Sequence, residues 1–486
     1  MRKSNVILLL KTFSEEEIKK FDDLLKSPYF NKSKTLIRFY SELSKFYPEF
    51  PDDKILKENI HNKTFPGKKF NEQVIKNLNS ELLRLIKVFF ELELMGTDKN
   101  ERKINLLKQL VRRKADKIYL SELKGFENEL NEQSDISERK FHYLFLLEEL
   151  KIAYHLERNE QPRVFDKVMK SGEHLILYFH LHFIKTISNL NINSQTFSVK
   201  YDINLPAEYF ENTSYGNIIK YMKEKKINYS ELFEMYYLRV KCNTHPFDEV
   251  HYYKFKELLL KNLFSLDKIE TYGLFIALEA YCLRKLTAGD LRFSKELFDI
   301  FKIETDKNFY KFSETSPVTF MKFRNTYLTA LRLHEFDWFE KFIEKYKDDI
   351  IESDRNTVLK IAYAYFSFEK KEFENTMKLL ADLNPPQLFL KLDVRNLTLM
   401  AHYELNYFDS VLSQIDSYKH YLTGNNSLFE SMRESNFRFL NSLNSLILIK
   451  EKNQKENLYD LKDKLKSYVG ERRIVWLIDK IDEEIG

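Results

Sequence analysis

Ala330-Leu-Arg-Leu-His-Glu-Phe-Asp337, Ala364-Tyr-Phe-Ser-Phe-Glu-Lys-Lys-Glu-Phe-Glu374 and Ala401-His-Tyr-Glu-Leu-Asn-Tyr-Phe-Asp409 are three versions of one phrase: a small residue, a short turn, then an aromatic followed by an acid. Their phenylalanines Phe336, Phe373 and Phe408 stand 37 and 35 residues apart. A small-to-aromatic signature at that period marks helix-turn-helix units, which bury their apolar faces only against neighbours and therefore stack. The pattern predicts helix pairs at 318–334 with 336–347, 356–369 with 372–382, and 388–405 with 408–422. Ser316-Pro317 is expected to open the first. The three phenylalanines are expected deep, where the helices of each pair meet.

Composition extends this reading to the whole chain. Its 486 residues include only 10 Gly and 10 Pro, so turn punctuation is scarce and helix formers dominate. The predicted fold is all-α: a superhelical array of antiparallel helix pairs behind a distinct N-terminal helical module. Helix is expected over more than about 70% of the chain, against a usual third. Four segments follow: a basic N-terminal module at 1–98, an irregular helical-repeat region at 99–310, the regular repeats at 311–424 and capping helices at 425–486.

The N-terminal module reads clearly. Ser14 and Glu17 have capping-box spacing for a helix that stops at Ser27-Pro28, and helices follow at about 34–46 and 54–63. After Phe65-Pro-Gly-Lys-Lys-Phe70, Asn71 is placed to cap a helix reaching about Met95. On that helix Val74, Leu78, Leu82, Leu85, Phe89 and Leu92 form an inward stripe. One further helix is expected from Lys99 to Leu130 with Ile118 inward, then helices at 136–158 and 163–190. A polar connection is expected at 191–216. Helices at 229–242, 247–262, 268–285 and 291–303 continue the pattern. At the other end, Trp476 is expected to plug the exposed end of the core.

Net charge is +4, but residues 1–118 carry 26 Lys/Arg against 17 Asp/Glu. Such a basic front end suits a polyanion or an acidic protein surface. Cys242 and Cys282 are the two cysteines, which excludes a disulfide framework and fits a reducing compartment. The apolar run at Val6–Leu10 is too short for a secretion signal, and no stretch approaches the roughly 20 apolar residues of a spanning helix. A cytoplasmic protein without a membrane partner is expected.

The repeats resemble tetratricopeptide-type (TPR) arrays. Ala364 matches that family's small residue and Phe336, Phe373 and Phe408 its aromatic near the turn, while Lys371 and Asn406 replace its glycine. More of the chain, through Ser27-Pro-Tyr-Phe-Asn-Lys32, Phe65-Pro-Gly-Lys-Lys69, Phe336-Asp-Trp338 and Asp416-Ser-Tyr-Lys-His-Tyr421, resembles a group of bacterial helical-repeat proteins without an assigned activity. The resemblance implies an array with an N-terminal module and brings no functional residues. Residues 65–84 also resemble the turn and recognition helix of the winged-helix module that precedes TPR-like repeats in bacterial transcriptional activators.

Candidate site residues come from that segment. Gln73, Lys76, Asn77, Ser80 and Arg84 share one polar stripe, and Lys68 and Lys69 precede it; amides suit adenine edges and cations suit guanine or phosphate. On the array, the first helices would present Lys360, Tyr363, Arg395 and His402. His180 and His182 lie two apart, on different faces. Gly67-Lys68-Lys69 lacks the rest of a phosphate-binding loop. No catalytic, metal or cofactor signature is found, and Cys242 and Cys282 read as buried structural thiols. The expectation is a non-catalytic protein-binding scaffold with no cofactor. The alternative is a transcriptional regulator that touches DNA through the basic module.

Overall fold

The computed structural model describes residues 4–133, 136–197, 203–245, 248–425, 428–452 and 454–486. Helix accounts for 77% of the described residues. The described residues contain no strand, only the isolated bridges Ile136 with Leu266 and Val318 with Ile350. They divide into two compact units, residues 4–130 with 146–168 and residues 131–145 with 169–486.

The first unit opens with α1 (Asn5–Leu10), α2 (Glu15–Lys26), α3 (Lys34–Ser44), α4 (Lys57–Thr64) and α5 (Glu72–Thr97). The Ser14–Glu17 capping box forms in both directions, and Asn71 caps α5 through the backbone N–H groups of Gln73 and Val74. These helices close over one core that includes Phe13, Phe21, Tyr40, Ile75, Leu78, Leu82, Leu85, Ile86 and Phe89. Leu92, expected inward, is exposed.

The stretch 99–130 is two helices, not one: α6 (Lys99–Arg112) and α7 (Asp116–Glu132). Lys114 turns the chain at φ 55°, with its N–H on the Val111 carbonyl and that of Ala115 on the Leu110 carbonyl. This is a Schellman ending made without glycine, so no sequence punctuation announces it. The rotation it introduces leaves Ile118 exposed. Helix α8 (Glu138–Leu156) and helix α9 (Phe165–Phe197) follow and are continuous across the division.

The second unit continues with α10 (Leu205–Asn212), α11 (Tyr215–Glu224), α12 (Ser230–Thr244), α13 (Glu249–Lys261), α14 (Lys268–Thr287) and α15 (Arg292–Asp306). Part of the expected connection at 191–216 is therefore helical: α9 runs on to Phe197, and Asn204 caps α10. Residues 198–202 lie outside the described residues.

The repeats appear as α16 (Phe320–Arg332) with α17 (Phe336–Tyr346), α18 (Glu352–Glu369) with α19 (Phe373–Leu380), and α20 (Leu388–Glu404) with α21 (Phe408–Gly424). α22 (Glu430–Glu451), α23 (Glu456–Leu465) and α24 (Arg472–Ile485) end the chain. Helix α18 packs on both α16 and α20. The cap of α16 is Thr319, not Ser316, because Val318 is held extended by its N–H bond to the Asp349 carbonyl.

One turn joins the helices of all three pairs. His334, Lys371 and Asn406 take φ values of 56°, 63° and 61°, and each is flanked by the paired Schellman bonds, such as Lys371 N to Phe368 O and Glu372 N to Ser367 O. The phenylalanines two residues on are half-buried, not deep. Each begins its helix, and the core takes the residue three positions later: Phe339, Thr376 and Val411 are closed to solvent. Phe373 and Phe408 instead stack edge-on against Phe368 and Tyr403 at the end of the preceding helix.

Trp476 plugs no terminal face. Its indole N–H donates to Glu404 at 2.6 Å, and its ring meets Phe368, Tyr403 and Phe439 on α18, α20 and α22.

Candidate functional site

In the first unit, the apolar side of α5 is drawn into the core, and this turns Gln73, Lys76, Asn77, Ser80 and Arg84 outward. All five are exposed, as are Lys68 and Lys69 on the preceding turn. Much of this face answers to itself. The Gln73 side-chain amide donates to Asn77 Oδ1 at 2.9 Å, and Ser80 Oγ donates back to the Lys76 carbonyl. Glu72 takes Lys57 at 2.8 Å and Lys76 at 3.4 Å. The Lys57 hydrogen bond is the first cause holding the Glu72 carboxyl below its ordinary range. The stripe therefore offers cations to phosphate, while its two amides are engaged with each other and a carboxylate sits among its lysines. Helix α5 runs on to Thr97, where a wing would need a turn into strand.

A more constructed site lies in the second unit, where alternate helices deliver polar and charged groups to one cavity of about 200 Å³. Arg324 comes from α16, Tyr365 from α18, Asp393 and Asn396 from α20, Ser435 from α22, and Arg472 and Arg473 from α24. Arg324 forks onto Asp393, with Nη2 donating to Oδ1 at 2.6 Å and Nε to the other oxygen. Burial opposes the charge of Arg324, but the Asp393 carboxylate outweighs it and holds the guanidinium pKa above its usual value. Tyr365 donates its hydroxyl to Asp393 at 3.3 Å.

Across the cavity, Arg473 donates to Asn436 at 2.9 Å and to Glu471 at 3.0 Å. Arg472 pairs with Glu369 and lies over the Tyr365 ring. Arg332 donates to the Gly470 carbonyl at 2.9 Å. Its pKa is pushed down to about 10, first by burial and then by the charge of Arg472. Each of these guanidiniums is met by a carboxylate or carbonyl of the chain itself, and these bonds fix their planes.

Of the residues expected on the array, Arg395 stacks over Tyr418 and Tyr421 and His402 pairs with Gln414, so both face α21. Lys360 and Tyr363 are exposed, Tyr363 beside Phe339 of α17. The cavity is lined by a different edge of the same helices. No local periodicity reveals it, because Arg324 and Asp393 stand 69 residues apart. A signal existed all the same: Asp393 sits in Leu388-Phe-Leu-Lys-Leu-Asp-Val, where an acid interrupts an apolar run.

The other groups are structural in their surroundings. Burial pushes both Cys242 and Cys282 up to about 12. His180 is buried beside the Tyr215 hydroxyl at 3.1 Å, while His182 is exposed. Among the described residues, no group of three or more His, Cys, Asp or Glu side chains is placed to hold a metal ion. None of the described helices is long and apolar enough to cross a membrane. No protein-family model, curated protein or solved structure matches this chain.

Proposed function

We propose that this chain is a non-catalytic scaffold, a TPR-like superhelical array of helix pairs that holds a protein partner in the cytoplasm. One observation carries the reading: α16, α18, α20 and α22 each hand a polar side chain to one open cavity. A surface shared by successive repeats suits an extended partner segment better than a small compact ligand. Arg324, Arg472 and Arg473 are already paired with Asp393, Glu369 and Glu471, so the cavity suits a polar segment better than a strongly acidic one.

The test is affinity capture with the full chain and with Ser435→Trp, which fills the cavity, followed by binding measurements on each purified candidate. A protein held at least about tenfold less well by the variant supports the reading, this being a loss of about 1.4 kcal/mol. A partner held equally by both removes the cavity's role.

The exposed Lys68, Lys69, Gln73, Lys76, Asn77, Ser80, Arg84 stripe favours a second reading, a regulator that touches DNA. The engaged amides and Glu72 argue against base reading, so the expected outcome is weak, sequence-indifferent binding that is lost near physiological salt. Nanomolar, sequence-selective binding that vanishes in a Lys76→Ala, Arg84→Ala variant would replace the scaffold with the regulator.

A further inference from the structure

Helix α9 has two apolar faces. Leu177, Leu181 and Ile184 are buried, as an amphipathic helix requires. Roughly half a turn away, Phe165, Val168, Met169, Leu175, Ile176 and Phe179 are between 42% and 74% exposed. The second face has no counterpart in a helix that simply covers a core.

Its spacing is symmetric. Relative to Gly172, these six residues stand at −7, −4, −3, +3, +4 and +7 in the numbering. At about 100° per residue they all fall within about 60° of the direction in which Gly172 points. A stripe that reads the same from both ends is complementary to itself when a second copy lies antiparallel. Phe165 of one copy then meets Phe179 of the other, Val168 meets Ile176, Met169 meets Leu175, and Gly172 meets Gly172. This is the isologous contact that a two-fold dimer needs.

Gly172 supports the same conclusion. Glycine inside a helix costs about 1 kcal/mol relative to alanine, and nothing within this chain requires it: a Cβ placed there meets no atom within 4 Å. At the centre of an interhelix contact, its absence of side chain permits close approach. The six side chains expose on the order of 600 Å² per copy, close to the roughly 800 Å² per partner of a specific interface.

We propose that the Phe165–Phe179 face of α9 is the dyad contact of an antiparallel homodimer centred on Gly172. The proposal does not depend on the scaffold reading.

Gly172→Cys in the full chain tests it, since a residue on the dyad meets its own copy and the native Cys242 and Cys282 are buried. Sedimentation at tens of micromolar chain should show mass rising from 58.7 kDa toward twice that value. Mild oxidation or a short bis-maleimide should then join Gly172→Cys to itself, while Phe165→Cys joins efficiently only when Phe179→Cys is present in the same chain. Met169→Glu with Leu175→Glu, both at exposed positions, should abolish the dimer and leave helix content and thermal midpoint unchanged. A chain that stays monomeric, a dimer that does not cross-link through position 172, or a monomer that binds phosphatidylcholine vesicles through this face would each overturn the proposal.

Discussion

The ammonium of Lys322 lies 2.5 Å from Glu304 Oε1, and neither side chain has contact with solvent to speak of. Glu279 stands on the other side of the ammonium at 2.8 Å, and the rings of Tyr272 and Tyr310 cover it. The cluster ties α14, α15 and α16 together. Burial, and then the charge of Glu279, push the Glu304 carboxyl well above its usual range. Burial works against the charge of Lys322, but the two carboxylates outweigh it and hold its pKa above the ordinary lysine value.

Lys322→Met should therefore cost about 3–5 kcal/mol, because it leaves buried carboxylates without a counter-charge. Glu304→Gln should cost less than Lys322→Met, since burial already disfavours the charge on Glu304 and Glu279 still faces the ammonium. Urea denaturation of both variants checks this. Equal losses would show that Glu304 is ionised at neutral pH.

Gly470 is pressed against the end of α14. A Cβ there would lie 1.8 Å from the Leu286 carbonyl oxygen and 2.8 Å from its carbon, both backbone atoms that cannot swing aside. Gly470→Ala should cost about 1–3 kcal/mol or more by forcing the backbones apart, and should loosen the Arg332 bond to the Gly470 carbonyl. Gly125→Ala, inside α7 with open space above it, should instead stabilise by up to about 1 kcal/mol. Thermal midpoints of the two variants should move in opposite directions.

His180 makes stability depend on pH. Burial lowers its pKa from 6.5 to about 4, and its neighbours Tyr215, Phe233 and Tyr209 are uncharged aromatics. The unfolded chain takes up a proton at this residue below about 6.5, while the folded chain refuses it until about 4. The contribution is thus full above 6.5 and is lost as pH falls toward 4, at up to about 1.4 kcal/mol per pH unit. His180→Gln should flatten that part of the stability profile, measured by denaturation between pH 7 and 4. An unchanged slope would place the dependence elsewhere.

Phe339 and Phe373 should separate sharply. Phe339 is closed to solvent and stacks on Phe366 at 4.8 Å, so Phe339→Ala should cost about 3–5 kcal/mol. Phe373 is half-buried at the start of α19, and Phe373→Ala should cost roughly half as much. Chemical denaturation midpoints of the two variants rank them directly.

Lys371 is an exposed lysine held at φ 63°, a conformation that costs a side-chain-bearing residue about 1 kcal/mol or more. Lys371→Gly should raise stability by about 0.5–1 kcal/mol. Asn406→Gly should raise it less, because asparagine tolerates this region. A destabilised Lys371→Gly would mean that the side chain contributes more than its backbone strain removes.

What the sequence determined by itself was local. The Ser14–Glu17 capping box, the Asn71 cap, the pairs from α16 to α21 and the outward side of α5 all rest on bonds and periodicities that span a few residues, and these survive any arrangement of the rest. The break at Lys114 leaves no mark in the sequence, because a lysine there does the work that a glycine would have announced. Phe336, Phe373 and Phe408 correctly marked where second helices begin, yet which turn of each helix enters the core depended on its neighbours, and the core chose Phe339, Thr376 and Val411. Only tertiary structure joined Arg324 to Asp393 and Lys322 to Glu279 and Glu304, and set Gly470 against Leu286, 184 residues away in the numbering. A charge on a helix carries no mark of its partner until packing removes the water that would otherwise serve as one.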